Sequence, residues 1–136
     1  MAKDKYHDLV RELLEDEGWT VTDDPLIIKT ELAKIQIDLA AEKLIGAEKD
    51  GQRIAVEIKS FIGHSKLNDL YSALGKFILY FPALKRAEPD RVLYLALPEH
   101  AYDYFYQDSI SGEIVERNDI KFILYDTDLK KITAWK

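Results

Sequence analysis

A carboxylate inside an apolar run is costly to bury and needs a reason to be there. Asp38 stands in "IQIDLAAE", and Glu57 stands in "AVEIKSF", two residues before Lys59. Side chains alternate along a strand, so Glu57 and Lys59 share a face with Ala55 while Val56 and Ile58 turn to the core. Burying such a charge pair is unfavourable unless partners compensate. If the two segments are neighbours in a meander, Asp38 comes beside Glu57. Two converging carboxylates make a hard oxygen site suited to Mg²⁺ or Mn²⁺, with waters and a substrate phosphate completing the shell. A divalent cation there activates water and screens phosphate charge, and Lys59 can hold that water or the scissile phosphate. The chemistry expected is phosphodiester hydrolysis, with Asp38, Glu57 and Lys59 catalytic and Asp38 and Glu57 as metal ligands. Glu-X-Lys equally serves as an ion pair on a solvated sheet. The direction in which Asp38 points separates the alternatives.

These residues need strands to hold them. Tyr6, Leu9, Val10, Leu13 and Leu14 recur at helical spacing, which predicts a helix over about 5–17 that stops at Gly18. "WTVTDD" up to Pro25 is a short strand or extended segment. Ile35 and Ile37 alternate with polar residues, "KLIGAEK" gives a second strand, and Asp50-Gly51 is a hairpin signal that folds "RIAVEIK" back on it. Ser65 can cap the next helix, whose apolar stripe runs Leu67, Leu70, Tyr71, Leu74, Phe77, Ile78, Phe81. Gly75 inside that helix costs roughly 1 kcal/mol relative to alanine, so close packing against a neighbour is expected there. "RVLYLAL" is apolar on both faces, as in a covered central strand. "PEHAYDYFY" predicts a short helix, and "KFILY" and "ITAW" two late strands. The order α-β-β-β-α-β-α-β-β is that of a mixed α/β fold on one sheet.

The chain has 136 residues, 47% hydrophobic and 32% charged, a globular composition that suits one domain over 1–136. Without cysteine there are no disulfides or thiolate metal sites, which fits a reducing, cytoplasmic setting. No apolar run is long enough to span a membrane, and "MAKDKYHDLV" lacks the apolar core of a signal peptide. A formal net charge of −6 argues against strong non-specific nucleic-acid binding, though not against a local basic patch.

The order of elements around Asp38, Glu57 and Lys59 resembles the PD-(D/E)XK nuclease superfamily of restriction endonucleases and archaeal Holliday-junction resolvases. A longer resemblance covers nearly the whole chain. "DKYHDLV", "LLEDEGWTVTDDPLIIK", "IDLAAEKLIGAEKDGQRIAVEIKSF", "LYSALGKFILY" and "EPDRVLYLALP" are similar to the XisH family, the fdxN-element excision controlling factors of cyanobacteria. The resemblance implies a restriction-endonuclease-like core and a role in programmed DNA excision. It also implies DNA, a site-specific recombinase and an XisI-like companion protein as partners. In the resolvases a first-helix glutamate assists the metal. Its place falls on His7 here, with Asp8 or Glu12 as alternative acids and a helix-flanking histidine as the plain alternative. The family's "GQF" reads Gly75-Lys76-Phe77 in this chain, which makes Lys76 a phosphate-binding candidate.

His64, just past the Glu-X-Lys strand, is a second substrate-binding candidate or simply a loop histidine. Tyr71, Tyr80, Tyr94, Tyr102, Tyr104, Phe105 and Tyr106 suit core packing better than base stacking. Lys29, Lys34, Lys43, Lys49, Arg53, Lys66, Lys76, Lys85 and Arg86 form either a basic rim to the Asp38 site or ordinary solvated charge. Paired strand cleavage asks for two clefts, so a homodimer is expected. The aromatic, charged segments "HAYDYFYQD" and "KKITAWK" are its candidate interfaces. The competing expectation is a non-catalytic factor that keeps the nuclease fold and binds a partner or DNA.

Overall fold

The structure, a computed structural model, describes residues 4–44 and 51–136. Helix α1 (His7–Asp16) leads into β1 (Thr20–Asp23), followed by β2 (Leu26–Lys29), β3 (Lys34–Ile37), β4 (Leu39–Leu44) and β5 (Gly51–Ile58). Then come α2 (Lys66–Ala87), β6 (Arg91–Pro98), a 3-10 turn (Glu99–Ala101), α3 (Tyr104–Gln107), α4 (Ser109–Arg117), β7 (Lys121–Asp126) and β8 (Lys131–Trp135). Six strands form a mixed sheet in the order β1-β4-β5-β6-β7-β8, parallel through β5, β6 and β7 and antiparallel elsewhere. β2 and β3 form a separate antiparallel pair. This is the expected mixed α/β architecture, with β6 central and Glu57 on a strand flanked on both sides, but not the expected single sheet: β3, expected in one meander with β4 and β5, pairs with β2 instead.

The sheet is covered on both faces. Val10, Leu13 and Leu14 of α1 pack with Val56, Ile58 and Ile123. Leu70, Leu74 and Phe77 of α2 pack with Ala55, Leu93, Leu95 and Phe105 on the other face. Glu57 therefore points to the α2 side, as alternation requires. Gly18 takes φ +94°, a left-handed conformation that glycine adopts without strain, and ends α1 while the Trp19 N–H donates to Leu14 O at 3.0 Å. Ser65 caps α2 by accepting from the Asn68 N–H at 3.1 Å. Among the described residues no helix is long and apolar enough to cross a membrane.

Several elements depart from expectation. β2 is a strand that the short run "LIIK" did not announce, and α4 is a helix between "YDYFY" and "KFILY" that no periodic pattern announced. Gly112 weakens the helical signal of α4. A Cβ there would meet Tyr106 Cδ1 at 3.3 Å, so the missing side chain lets α4 lie close to Tyr106. Gly75 is the reverse case. Nothing lies within 4 Å of a Cβ built there, so close packing within the chain does not explain it. Only part of the α2 stripe is covered: Leu70, Leu74 and Phe77 are buried, whereas Leu67, Tyr71, Ile78 and Phe81 are exposed. Asp50 and most of "KLIGAEK" lie outside the described residues. β4 and β5 nevertheless pair antiparallel up to Leu44 and Gly51, as a hairpin requires.

One buried cation locks the sheet. Arg91, 3% exposed, donates from Nε to Glu88 at 2.8 Å and from one terminal nitrogen to the Ala41 and Ile54 carbonyls at 3.2 and 3.1 Å. Its other terminal nitrogen reaches Thr22 Oγ1 at 3.4 Å. This guanidinium ties β6 to β1, β4 and β5.

Candidate functional site

Asp38 sits in the bend between β3 and β4. β4 pairs with β5 only as far as Leu39 and Val56. There the Asp38 carboxylate takes over as acceptor, receiving the Ile58 N–H on Oδ2 at 2.8 Å. The side chain substitutes for a ladder bond, and β3 is free to leave the main sheet and pair with β2. This anchoring aims Asp38 at Glu57, whose Oε1 accepts the Asp38 N–H at 3.4 Å.

Asp38, Glu57, Lys59 and Lys76 line one cleft of about 360 Å³, together with Asp4, Asp24, Pro25, Gln36, Ile58 and Tyr80. Larger hollows exist elsewhere, including one of about 610 Å³ beside Asp126. The smaller cleft is where the buried Glu57 and the half-buried Asp38 converge, and chemistry rather than size singles it out. Glu57 is 4% exposed. Burial and the neighbouring Asp38 charge push its carboxyl up to about 8, against an opposing pull from Lys76. Burial also raises Asp38, offset in part by the Ile58 N–H. Both shifts favour a proton held within the pair.

The cations are arranged differently from the Glu-X-Lys expectation. Lys76 Nζ, not Lys59 Nζ, approaches Glu57, at 3.4 Å from Oε2. Burial lowers Lys76, but the Glu57 charge and hydrogen bond, together with Tyr80 and Asp38, outweigh it and hold the ammonium above its ordinary value. Lys59 pairs with Asp69 on the first turn of α2, Nζ to Oδ1 3.4 Å, at the cleft mouth. Tyr80 lines the wall, and burial followed by the Glu57 charge raises its hydroxyl.

His7 is buried and does not line the cleft. Its Nε2 donates to Asp24 Oδ1 at 2.7 Å, while Arg11 donates to Asp24 Oδ2 at 2.7 Å. Burial opposes ionisation of Asp24, yet these two hydrogen bonds hold it below the usual carboxylate range. His7 thus touches the cleft lining through Asp24, and its Nδ1 has no partner among the described residues. Asp8 and Glu12 are exposed and stay outside the cleft. His64 is exposed on the loop before α2 and is not in the lining.

Sequence reasoning missed Asp4, Asp24, Gln36 and Tyr80. Asp4 accepts the Ser60 N–H at 2.9 Å, a contact between residues distant in sequence. Tyr80 lies one helical turn after Lys76 on α2, a signal that was available once Lys76 was singled out. Of the candidate basic rim, Lys76 alone lines the cleft. Arg53 pairs with Glu88, Lys66 lies over the Tyr104 ring, Lys85 lies over Phe81, and Lys49 falls outside the described residues. The aromatics of "HAYDYFYQD" largely serve the core: Phe105 is fully buried against Phe61 and Phe122, and Tyr102 packs on Phe122. Trp135 of "KKITAWK" stacks on Trp19 at 5.7 Å.

The donor set fits a hard divalent cation. Among the described residues no group of three or more His, Cys, Asp or Glu side chains is placed to hold a metal ion. Asp38 and Glu57 supply two carboxylates, the number Mg²⁺ commonly takes from a protein while keeping several waters. A proton held between them is one that a cation at the same place would displace.

The family model described as "XisH protein" matches residues 1–133. A crystal structure of an XisH family protein from Nostoc punctiforme PCC 73102 superposes with a TM-score of 0.84 at 38% identity, covering 97% of this chain and 98% of that one. A fdxN element excision controlling factor protein from Anabaena variabilis gives a TM-score of 0.82 at 40% identity, covering 98% of both chains. No curated protein matches.

Proposed function

The chain belongs to the XisH family, and from that premise we propose that it is a Mg²⁺- or Mn²⁺-dependent DNA endonuclease-like factor acting in the controlled excision of a DNA element. The observation that carries this is the convergence of a half-buried Asp38 and a buried Glu57, both raised, in a cleft that also holds Lys59 and Lys76. The bend at Asp38, the Glu-X-Lys strand and the following amphipathic helix support assigning the core to the PD-(D/E)XK superfamily.

Asp38 and Glu57 would hold the cation. When bound it would activate water and screen charge on the phosphate. The protein's own groups do the rest. The Ile58 N–H fixes the Asp38 carboxylate, so its second oxygen is available to the cleft. Lys59 waits at the mouth on Asp69 and can exchange that partner for a phosphate oxygen. Lys76 can do the same from Glu57. Asp24, kept ionised by Arg11 and His7, adds negative charge on the α1 side that favours a cation in the cleft.

The Lys76–Glu57 contact favours a second reading, in which the ammonium is the resident cation and the cleft binds a partner without cleaving. Lys76→Met separates them. If a divalent ion belongs there, the variant binds Mn²⁺ at least as tightly as the parent. If Lys76 is the resident cation, the variant loses stability and gains no metal affinity. The direct test is cleavage of duplex and branched DNA by purified protein with Mg²⁺ or Mn²⁺. Activity that vanishes in Asp38→Asn supports the nuclease reading, and activity that survives refutes it. An XisI-like companion, a recombinase and a homodimer are the partners proposed with this role, to be tested by co-purification and light scattering.

A further inference from the structure

The β2–β3 hairpin leaves the main sheet beside the cleft, and its two faces differ. Leu26, Ile28, Ile35 and Ile37 are buried, while Ile27, Lys29, Lys34 and Gln36 are exposed. The register sets Ile27 opposite Gln36 and Lys29 opposite Lys34, so these four share one outward face. Gln36 and Pro25 line the cleft. The lysine rung stands two residues farther out, about 7 Å along the strands. Beyond it, Leu32 at the turn is 98% exposed.

Like charges directly opposite each other on an antiparallel pair are destabilising. Among the described residues neither Lys29 nor Lys34 has a carboxylate partner. The turn carboxylate Glu31 is paired with neither. Arg86 of α2 lines an adjoining hollow with Lys29 and Glu31 and likewise has no ion-pair partner among the described residues. In a chain of net charge −6, cations left without partners on one face beside the cleft call for an external anion. Duplex DNA carries one charge per about 1.7 Å of axis, enough to meet both the cleft and the lysine rung at once.

We propose that the exposed face of the β2–β3 hairpin is the duplex-DNA arm of this protein, with Lys29 and Lys34 against phosphates and Gln36 joining the arm to the cleft. The choice of DNA as the anion rests on the nuclease-like reading of the cleft. The arm itself is tested without any cleavage.

Binding of fluorescent duplex DNA is measured by anisotropy across a salt series in EDTA. In Lys29→Ala/Lys34→Ala, affinity at low salt should fall at least ~10-fold, and the log–log salt slope should become shallower by about 1.8. Lys29→Glu should bind DNA more weakly yet melt at a higher temperature, because it turns a like-charged rung into an opposite-charged one. That combination excludes misfolding as the cause. Lys131→Ala, on β8, should leave the slope unchanged. No duplex binding by the parent, an unaltered slope in the double variant, or an equal change in Lys131→Ala would overturn the arm. Loss of metal binding in Asp38→Asn concerns the cleft alone and leaves this outcome independent.

Discussion

Two charged side chains are buried to nearly the same degree, and they could hardly be served more differently. Arg91 is 3% exposed and Glu57 is 4% exposed. Arg91 donates to a carboxylate, two carbonyls and a hydroxyl, from three nitrogens. Glu57 has a 3.4 Å contact from the Asp38 N–H, a 3.4 Å contact from a half-exposed lysine, and a second carboxylate facing it. A buried charge with a full set of partners is a structural clamp. A buried charge next to its own kind, short of donors, is a place where a further cation would be welcome. Opposite responses to substitution follow.

The largest stability change should come at the clamp. Arg91→Ala leaves the Ala41 and Ile54 carbonyls and Thr22 Oγ1 without its donation and Glu88 with Arg53 alone, and breaking a buried pair costs roughly 3–5 kcal/mol. Urea denaturation measures this. A loss below about 1 kcal/mol would mean the guanidinium is not what holds β1, β4 and β5 to β6.

Glu57→Gln should have the opposite sign. The Glu57 carboxyl titrates near 4.5 when unfolded and at about 8 in the folded chain. The native state therefore binds the proton more tightly, and stability is highest below 4.5 and declines as pH rises through about 8. An always-neutral glutamine removes that decline. Relative to the parent it should gain roughly 1–3 kcal/mol at pH 9 and little at pH 5. Persistence of the parental pH slope in Glu57→Gln would place the titrating group elsewhere.

Lys59→Ala should change stability least, by less than about 1 kcal/mol, because its pair with Asp69 is partly exposed. Any metal-dependent cleavage should nevertheless be lost. Equal cleavage rates in Lys59→Ala and the parent would assign the activity to another site or a contaminant.

The sequence announced this contrast unevenly. Asp38 and Glu57 stood out because a carboxylate in an apolar run has no burial advantage of its own, and strand alternation placed Glu57 on the correct face. Lys76 as the Glu57 partner could not be read, since it depends on how α2 lies across the sheet. Lys59 and Glu57 share a face in principle, but β5 ends at Ile58, and the chain carries Lys59 toward Asp69. Asp4 and Asp24 reach the cleft from loops, whose paths leave no periodic trace. β2 was hidden by its length of four residues, and α4 by Gly112. The expected packing at Gly75 failed for a different reason: a glycine signals an absent side chain, not what fills the space.

The central claim is that Asp38 and Glu57 form a divalent-cation site. Calorimetric titration of the purified chain with Mn²⁺ at pH 7 and pH 9, in two buffers of different ionisation enthalpy, tests it most directly. The account predicts one ion bound per chain, tighter at pH 9, with proton release at pH 7 and on the order of 100-fold weaker binding in Asp38→Asn, since even supporting residues around a metal are worth 10–100-fold. No binding at either pH, or binding that Asp38→Asn leaves unchanged, would contradict it.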